Sequence, residues 1–271
     1  MRLSRRAVMR AALLTAGGAA FGAVGKDTLS QAFGWDRPPV SGGYAAAADA
    51  PEALRTANLT IRYFVETTEP VVAFTFDDGP GPQWTPMVLD ALDQANIPAT
   101  FFMVGQNLEE HAGLVRDRMG RHEIGNHSWS HDDLATLDRA GVETELSRTH
   151  DMIKEVFHRE TTLLRPPYGH LGGSTVLAAD HFGYEIVLWS HLMREKYFQD
   201  DPDGQIRDIV DNVRPGSIIL AHDVGKPHRL VSLRGLSAMF SGLKARGFRF
   251  ATVSELAALQ TRPTPPPLTT A

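Results

Sequence analysis

Apolar residues in this chain gather in short runs rich in β-branched and aromatic side chains, at residues 71–76, 100–104, 123–127, 161–165, 184–189, 217–222 and 248–253. Runs of that length and composition suit a pleated surface, so the pattern predicts seven strands. Between them the periodicity lengthens to that of helices. Thr85 is placed as a helix N-cap and Pro86 as the first helical residue, where a missing N–H costs nothing. Another helical stretch, 231–246, stops at Gly247, which tolerates the left-handed backbone common after a helix C-terminus. Strand and helix in alternation predict an α/β fold with a parallel sheet and helices outside, as a barrel or a doubly wound sheet.

In such folds the carboxyl ends of the strands open into one shared crevice. The first predicted strand runs into AFTFDDGP, which leaves Asp77 and Asp78 side by side at its end. His127, Arg165 and His222 close the third, fourth and sixth strands, so residues far apart in sequence are expected at one rim. A core has no use for that set. His127 and His131 in HSWSH are spaced to share one face of a helical turn, close enough to hold one ion. Two imidazoles and a carboxylate leave open positions for water and substrate, as catalytic zinc sites do, and the same set suits non-haem iron. The spacing alone is weak evidence, since paired histidines are common on surfaces; the neighbouring acids strengthen it.

Composition narrows the alternatives. The chain has 271 residues, 42% hydrophobic and 22% charged, enough for one sizeable core and hence a single domain. A net charge of -5 and a pI near 6.1 provide no basic surface for a nucleic-acid partner. No glycine-rich phosphate loop follows the first strand, and the absence of cysteine excludes disulfides and thiol chemistry. Arg2, Arg5 and Arg6 precede an uncharged stretch at 11–24, the arrangement of an export signal, and the Arg5–Arg6 pair resembles the twin-arginine type. That stretch is shorter than the roughly 20 residues a bilayer needs, so no stable membrane span is expected. The expected organisation is an export signal at 1–26, a spacer and N-terminal extension at 27–66, the domain at 67–260 and a proline-rich tail at 261–271. A secreted or cell-surface monomer follows as the expectation.

TFDDGP, HSWSH, RPPYG and SIILAHD resemble, in this order, the successive motifs of the polysaccharide deacetylase family, carbohydrate esterase family 4, and the likeness spans residues 71–259. The resemblance implies a distorted (β/α)7 barrel. It implies Asp78, His127 and His131 as ligands of a divalent metal, zinc first, with Asp77 as general base and Arg165 positioning it. By the same likeness the backbone N–H of Tyr168 faces the oxyanion, His222 is the general acid, and Trp189 and Leu220 line an acetyl pocket. One departure stands out: the family commonly carries an aspartate and a tryptophan soon after the tryptophan of the fifth strand, where this chain reads WSHLMREKY from Trp189 to Tyr197. Glu195 is the candidate to orient His222 instead; the competing reading makes it a solvated acid paired with Arg194 or Lys196.

The expected function is a secreted, metal-dependent N-deacetylase that removes acetyl groups from an amino-sugar polymer, peptidoglycan ahead of chitin-type chains. An O-acetyl xylan esterase and a non-catalytic glycan-binding module are the alternatives, with iron-dependent oxygen chemistry behind them. Intact Asp77 and His222 argue against the last two, since neither needs a base and an acid.

Overall fold

A computed structural model describes residues 56–261. The expected export signal, most of the spacer and the proline-rich tail lie outside the described residues. The strands are β1 (Ile61–Arg62), β2 (Val71–Asp77), β3 (Thr100–Met103), β4 (Glu123–Asn126) and β5 (Leu163–Leu164). They continue with β6 (Glu185–Val187), β7 (His191–Leu192), β8 (Ile218–His222) and β9 (Arg249–Phe250). The helices are α1 (Thr85–Ala95), α2 (Gly105–His111), α3 (Arg139–Phe157), α4 (Gly173–Phe182), α5 (Pro202–Asn212), α6 (Leu230–Ala245) and α7 (Val253–Ala257). The strand order is β1-β6-β5-β4-β3-β2-β8-β7, with β9 paired to the start of β2, and every strand pair is parallel. This curled parallel sheet wrapped by helices is the distorted (β/α)7 barrel in a single domain.

β2 is central because both its faces are buried. Val72, Phe74 and Phe76 point outward into the core beneath α1 and α6, whereas Val71 and Ala73 point inward with Phe102, Val187 and Ile218. A strand covered on both sides loses the apolar–polar alternation of a half-exposed one, which is why its sequence reads as one apolar run. Phe74 meets Phe240 of α6 edge-to-face at 5.0 Å, so truncating it would cost about 3–5 kcal/mol.

All seven expected strands are present, several of them shorter. The expected 161–165 strand pairs only over Leu163–Leu164, and 248–253 only over Arg249–Phe250, because β9 pairs with the start of β2 whereas β3 takes its upper part. β1 and β7 were not foreseen. Each is two residues long and lies where the barrel closes. β1 pairs with β6, and Phe64 then bridges to Ser217 beside β8, so residues 61–65 belong to the sheet although the sequence reading put them in the extension. Thr85 is not the N-cap of α1: Trp84 holds that position without a side-chain bond, and the Thr85 hydroxyl instead donates to Asp223 Oδ2 at 2.6 Å. α6 does end at Ala245 with Gly247 at φ 83°, as expected.

Asn58 N–H donates to Asp180 at the lower end of α4, and Thr261 N–H donates to the Glu66 carbonyl. Both ends of the described chain are therefore fastened at the amino-terminal side of the strands.

Candidate active site

Along an extended strand neighbouring side chains point to opposite faces. Asp77 follows that rule and points into the barrel with Thr75. Asp78 does not, because its φ of 77° turns the backbone and brings its carboxylate to the same mouth. Two adjacent acids thus reach one site while making different contacts.

Asp77 is 3% exposed, and its Oδ1 accepts from Arg165 Nη1 at 2.7 Å. Arg165 is fully buried in the barrel. Its fork also donates to Thr75 Oγ1 and to the carbonyls of Val187 and Leu188, and it lies 4.1 Å from the centre of the Phe102 ring. Burial draws this guanidinium below its ordinary value, and Asp77 opposes the shift. The arginine also spans the seam between β5 and the chain leaving β6. Replacing it with Ala would strand a buried carboxylate at a cost of about 3–5 kcal/mol.

His127 leaves β4, and its Nδ1 donates to the Arg165 carbonyl at 2.6 Å. A carbonyl only accepts, so a proton sits on Nδ1, and Nε2 is the nitrogen turned to the cleft. His127 Nε2 and His131 Nε2 lie 3.3 and 3.1 Å from Asp78 Oδ1. Among the described residues, these three form the one group of histidine and carboxylate side chains whose ligand atoms all lie within 4.8 Å of one another. The donor set fits a small divalent cation. Burial alone would raise Asp78 and lower His127, yet hydrogen bonds from the histidines hold Asp78 far below the carboxylate range, and Asp77 and Asp78 raise His127. That field attracts positive charge to the point between the three side chains.

The histidines converge without the expected helical turn. Residues 127–133 form a loop in which Ser128 and His131 have φ of 66° and 64°, and the two imidazoles sit 5.1 Å apart. Side chains hold this shape: Asn126 Oδ1 accepts from Ser128 N–H, Ser128 Oγ accepts from His131 N–H, and Glu145 Oε2 of α3 accepts from Trp129 N–H, Ser130 N–H and the Ser130 hydroxyl.

Across the mouth, His222 is the register partner of Asp77 on the adjacent strand. Its Nδ1 is 2.8 Å from Glu195 Oε1. Glu195 is 6% exposed, and the bond to His222 outweighs burial and keeps its carboxyl below the ordinary value. It therefore differs from a solvated loop acid, while Arg194 pairs with Asp208. Tyr168, at φ 61° in the turn Pro167–Gly169, is 60% exposed with its ring 4.9 Å from that of His131. Gly169 at φ 70° admits Trp189, which a methyl group there would meet at 2.8 Å. Tyr168, Trp189, Leu220 and Leu192 wall a cleft of about 270 Å³ whose floor holds Asp77, Asp78, His127, His131 and His222. All the sequence-predicted site residues lie in this cleft or touch a residue that does.

Two residues of the site were not foreseen. Arg229 lines the cleft and donates from Nη1 to Asp78 Oδ2 at 2.7 Å. Asp223 follows His222 and is buried against Thr85, its carboxyl pushed up to about 7 by burial, with Oδ1 lacking a protein partner among the described residues. The adjacency of Asp223 to His222 was a signal; for Arg229 the sequence offered none.

Comparison with known proteins agrees with this geometry. The family model for polysaccharide deacetylase matches residues 64–187. A peptidoglycan-N-acetylglucosamine deacetylase of Bacillus cereus is 34% identical over 198 residues, covering 72% of this chain and 92% of the relative. A chitooligosaccharide deacetylase of Sinorhizobium fredii is 33% identical, covering 67% of this chain and 89% of its own. Among solved structures, a peptidoglycan N-acetylglucosamine deacetylase bound to an N-oxidanyl-benzamide superposes with a TM-score of 0.70 at 29% identity, covering 76% of this chain and 96% of that one. The chain belongs to the polysaccharide deacetylase family. It is accordingly a hydrolase of non-peptide carbon–nitrogen bonds.

Proposed function

We propose that this chain is exported and removes N-acetyl groups from N-acetylglucosamine units of a wall glycan, peptidoglycan before chitin-type chains, with a divalent cation, zinc first, held by Asp78, His127 and His131. The observation that carries the reading is the pairing of Asp77 and His222 at one level of adjacent strands, in the cleft that also holds the three ligand side chains. A cation there would polarise the acetyl carbonyl and acidify a bound water. Asp77, fixed by Arg165, takes the proton of the attacking water. The backbone N–H of Tyr168 faces the charge developing on the carbonyl oxygen. His222, its Nδ1 held by Glu195, gives a proton from Nε2 to the leaving amine, so that acetate and a free amine result. Trp189 and Leu220 give the cleft an apolar wall suited to the acetyl methyl group.

The names of the two relatives support an amino-sugar polymer as substrate. Acetate release by the zinc-loaded protein from peptidoglycan, chitooligosaccharides and acetylated xylan is the test. Release from the N-acetylated glycans is expected; release from acetylated xylan alone would make the chain an O-acetyl esterase, and release from none would make it a binding module. Export rests on the basic start and short apolar run. Loss of export when Arg5 and Arg6 become Lys would support the twin-arginine route, and an intact Met1 on the exported form would make the basic start an uncleaved anchor.

A further inference from the structure

The neighbouring carboxylates each carry an arginine, but the arginines differ in kind. Arg165 is locked in the barrel on Asp77, whereas Arg229 lies at the open cleft on Asp78. Arg229 ends the short turn Pro227–Arg229 between β8 and α6, and its Nη1 donates both to Asp78 Oδ2 and to the Val224 carbonyl, each at 2.7 Å. Gly225, at φ 113°, leaves space for the guanidinium, since a Cβ there would stand 2.5 Å from Nη1. The Val224 carbonyl thus fixes the same nitrogen that meets the carboxylate.

The effect is to divide the Asp78 carboxylate. Oδ2 is committed to Arg229, while Oδ1 faces the Nε2 atoms of His127 and His131 at 3.3 and 3.1 Å. We propose that Arg229 is a positioning residue that holds Asp78 to ligation through one oxygen and so sets which cation the site takes; this rests on the metal reading above. The chemistry follows from ligand number. Zinc prefers about four close ligands, whereas calcium takes six to eight oxygens and favours carboxylates that bind through both. Withholding Oδ2 removes an oxygen that the larger ion would use and keeps the remaining one aimed at the smaller. The same residue ties the segment after His222 to the metal ligand.

Zinc and calcium affinities of the chelator-stripped full chain, measured against a competing indicator, test the proposal, together with the visible spectrum of the cobalt-loaded protein. In Arg229→Gln, zinc affinity should fall about 10- to 100-fold, the range for losing a partner of a metal ligand, and calcium should lose less. The cobalt spectrum should change as Oδ2 becomes available, and Arg229→Lys should recover part of the zinc affinity because a single donor can still occupy Oδ2. Unchanged zinc affinity and cobalt spectrum in Arg229→Gln, with only a lowered melting temperature, would overturn the proposal and leave Arg229 as a loop anchor. Should the parent chain itself bind zinc no better than Asp78→Asn, the metal reading fails instead, and the two failures are told apart by which protein shows them.

Discussion

Asp78 owes its place at the mouth to one backbone angle, and Asp77 owes its place to keeping the strand's rule. The division of labour between them is testable. Asp77→Asn should retain the bound metal and lose turnover by two orders of magnitude or more, the usual contribution of a general base, whereas His127→Ala should lose metal. Metal content by elemental analysis beside turnover checks both, and the reverse pattern would exchange the two aspartates. Glu195 stands in the same loop where the family resemblance expects an aspartate, a few residues further on, and its carboxylate reaches His222 Nδ1. Glu195→Gln should lower kcat about 10- to 100-fold with KM and metal content unchanged, because the imidazole loses the partner that fixes its Nδ1. Unaltered kcat in that variant would reduce Glu195 to a structural acid. The sequence brought out this residue because a motif had a vacancy; Arg229 filled no vacancy, and its long side chain found Asp78 through folding alone.

At the level of elements, the strands were legible and the loop carrying both histidines was not. Apolar runs report burial, which the barrel demands of β2, β3 and β8 regardless of detail. Spacing of four residues in HSWSH suggested a helical turn, but Asn126, Ser128 and Glu145 satisfy the loop's N–H groups from their side chains and so stabilise a path that periodicity cannot reveal. Glu145 belongs to α3, far from the motif in sequence. Glu145→Ala would leave the N–H groups of Trp129 and Ser130 without that acceptor, at about 1–3 kcal/mol, and the strain should appear where the loop works. A several-fold weaker zinc affinity together with a lower melting temperature is expected. Full affinity in that variant would show that His131 is held well enough by Ser128 alone.

For the whole molecule, pH matters through a residue remote from the cleft. His122 is buried below the sheet, and its Nδ1 accepts from the Ala99 N–H at 3.1 Å, which only an unprotonated Nδ1 can do. Burial is the main cause that lowers its pKa to about 4. The unfolded chain binds this proton from near the ordinary value of about 6.5, so the stabilising effect is complete above that pH and is lost progressively down to about 4. By pH 4.5 the loss from this residue alone would be about 2–3 kcal/mol. Urea unfolding at pH 7.5 and 4.5 should therefore show a smaller acid penalty in His122→Asn than in the parent; equal penalties would assign the acid sensitivity to other groups.

The fastening of both described ends at the base of the barrel has a practical side. Asn58 and Thr261 leave the fold where the strands begin, and the catalytic mouth opens where they end. Whatever is joined to either end pulls from behind, like a stem under a cup. The enzyme can then be grafted to a bead or a partner domain at either described end with the cup still facing outward.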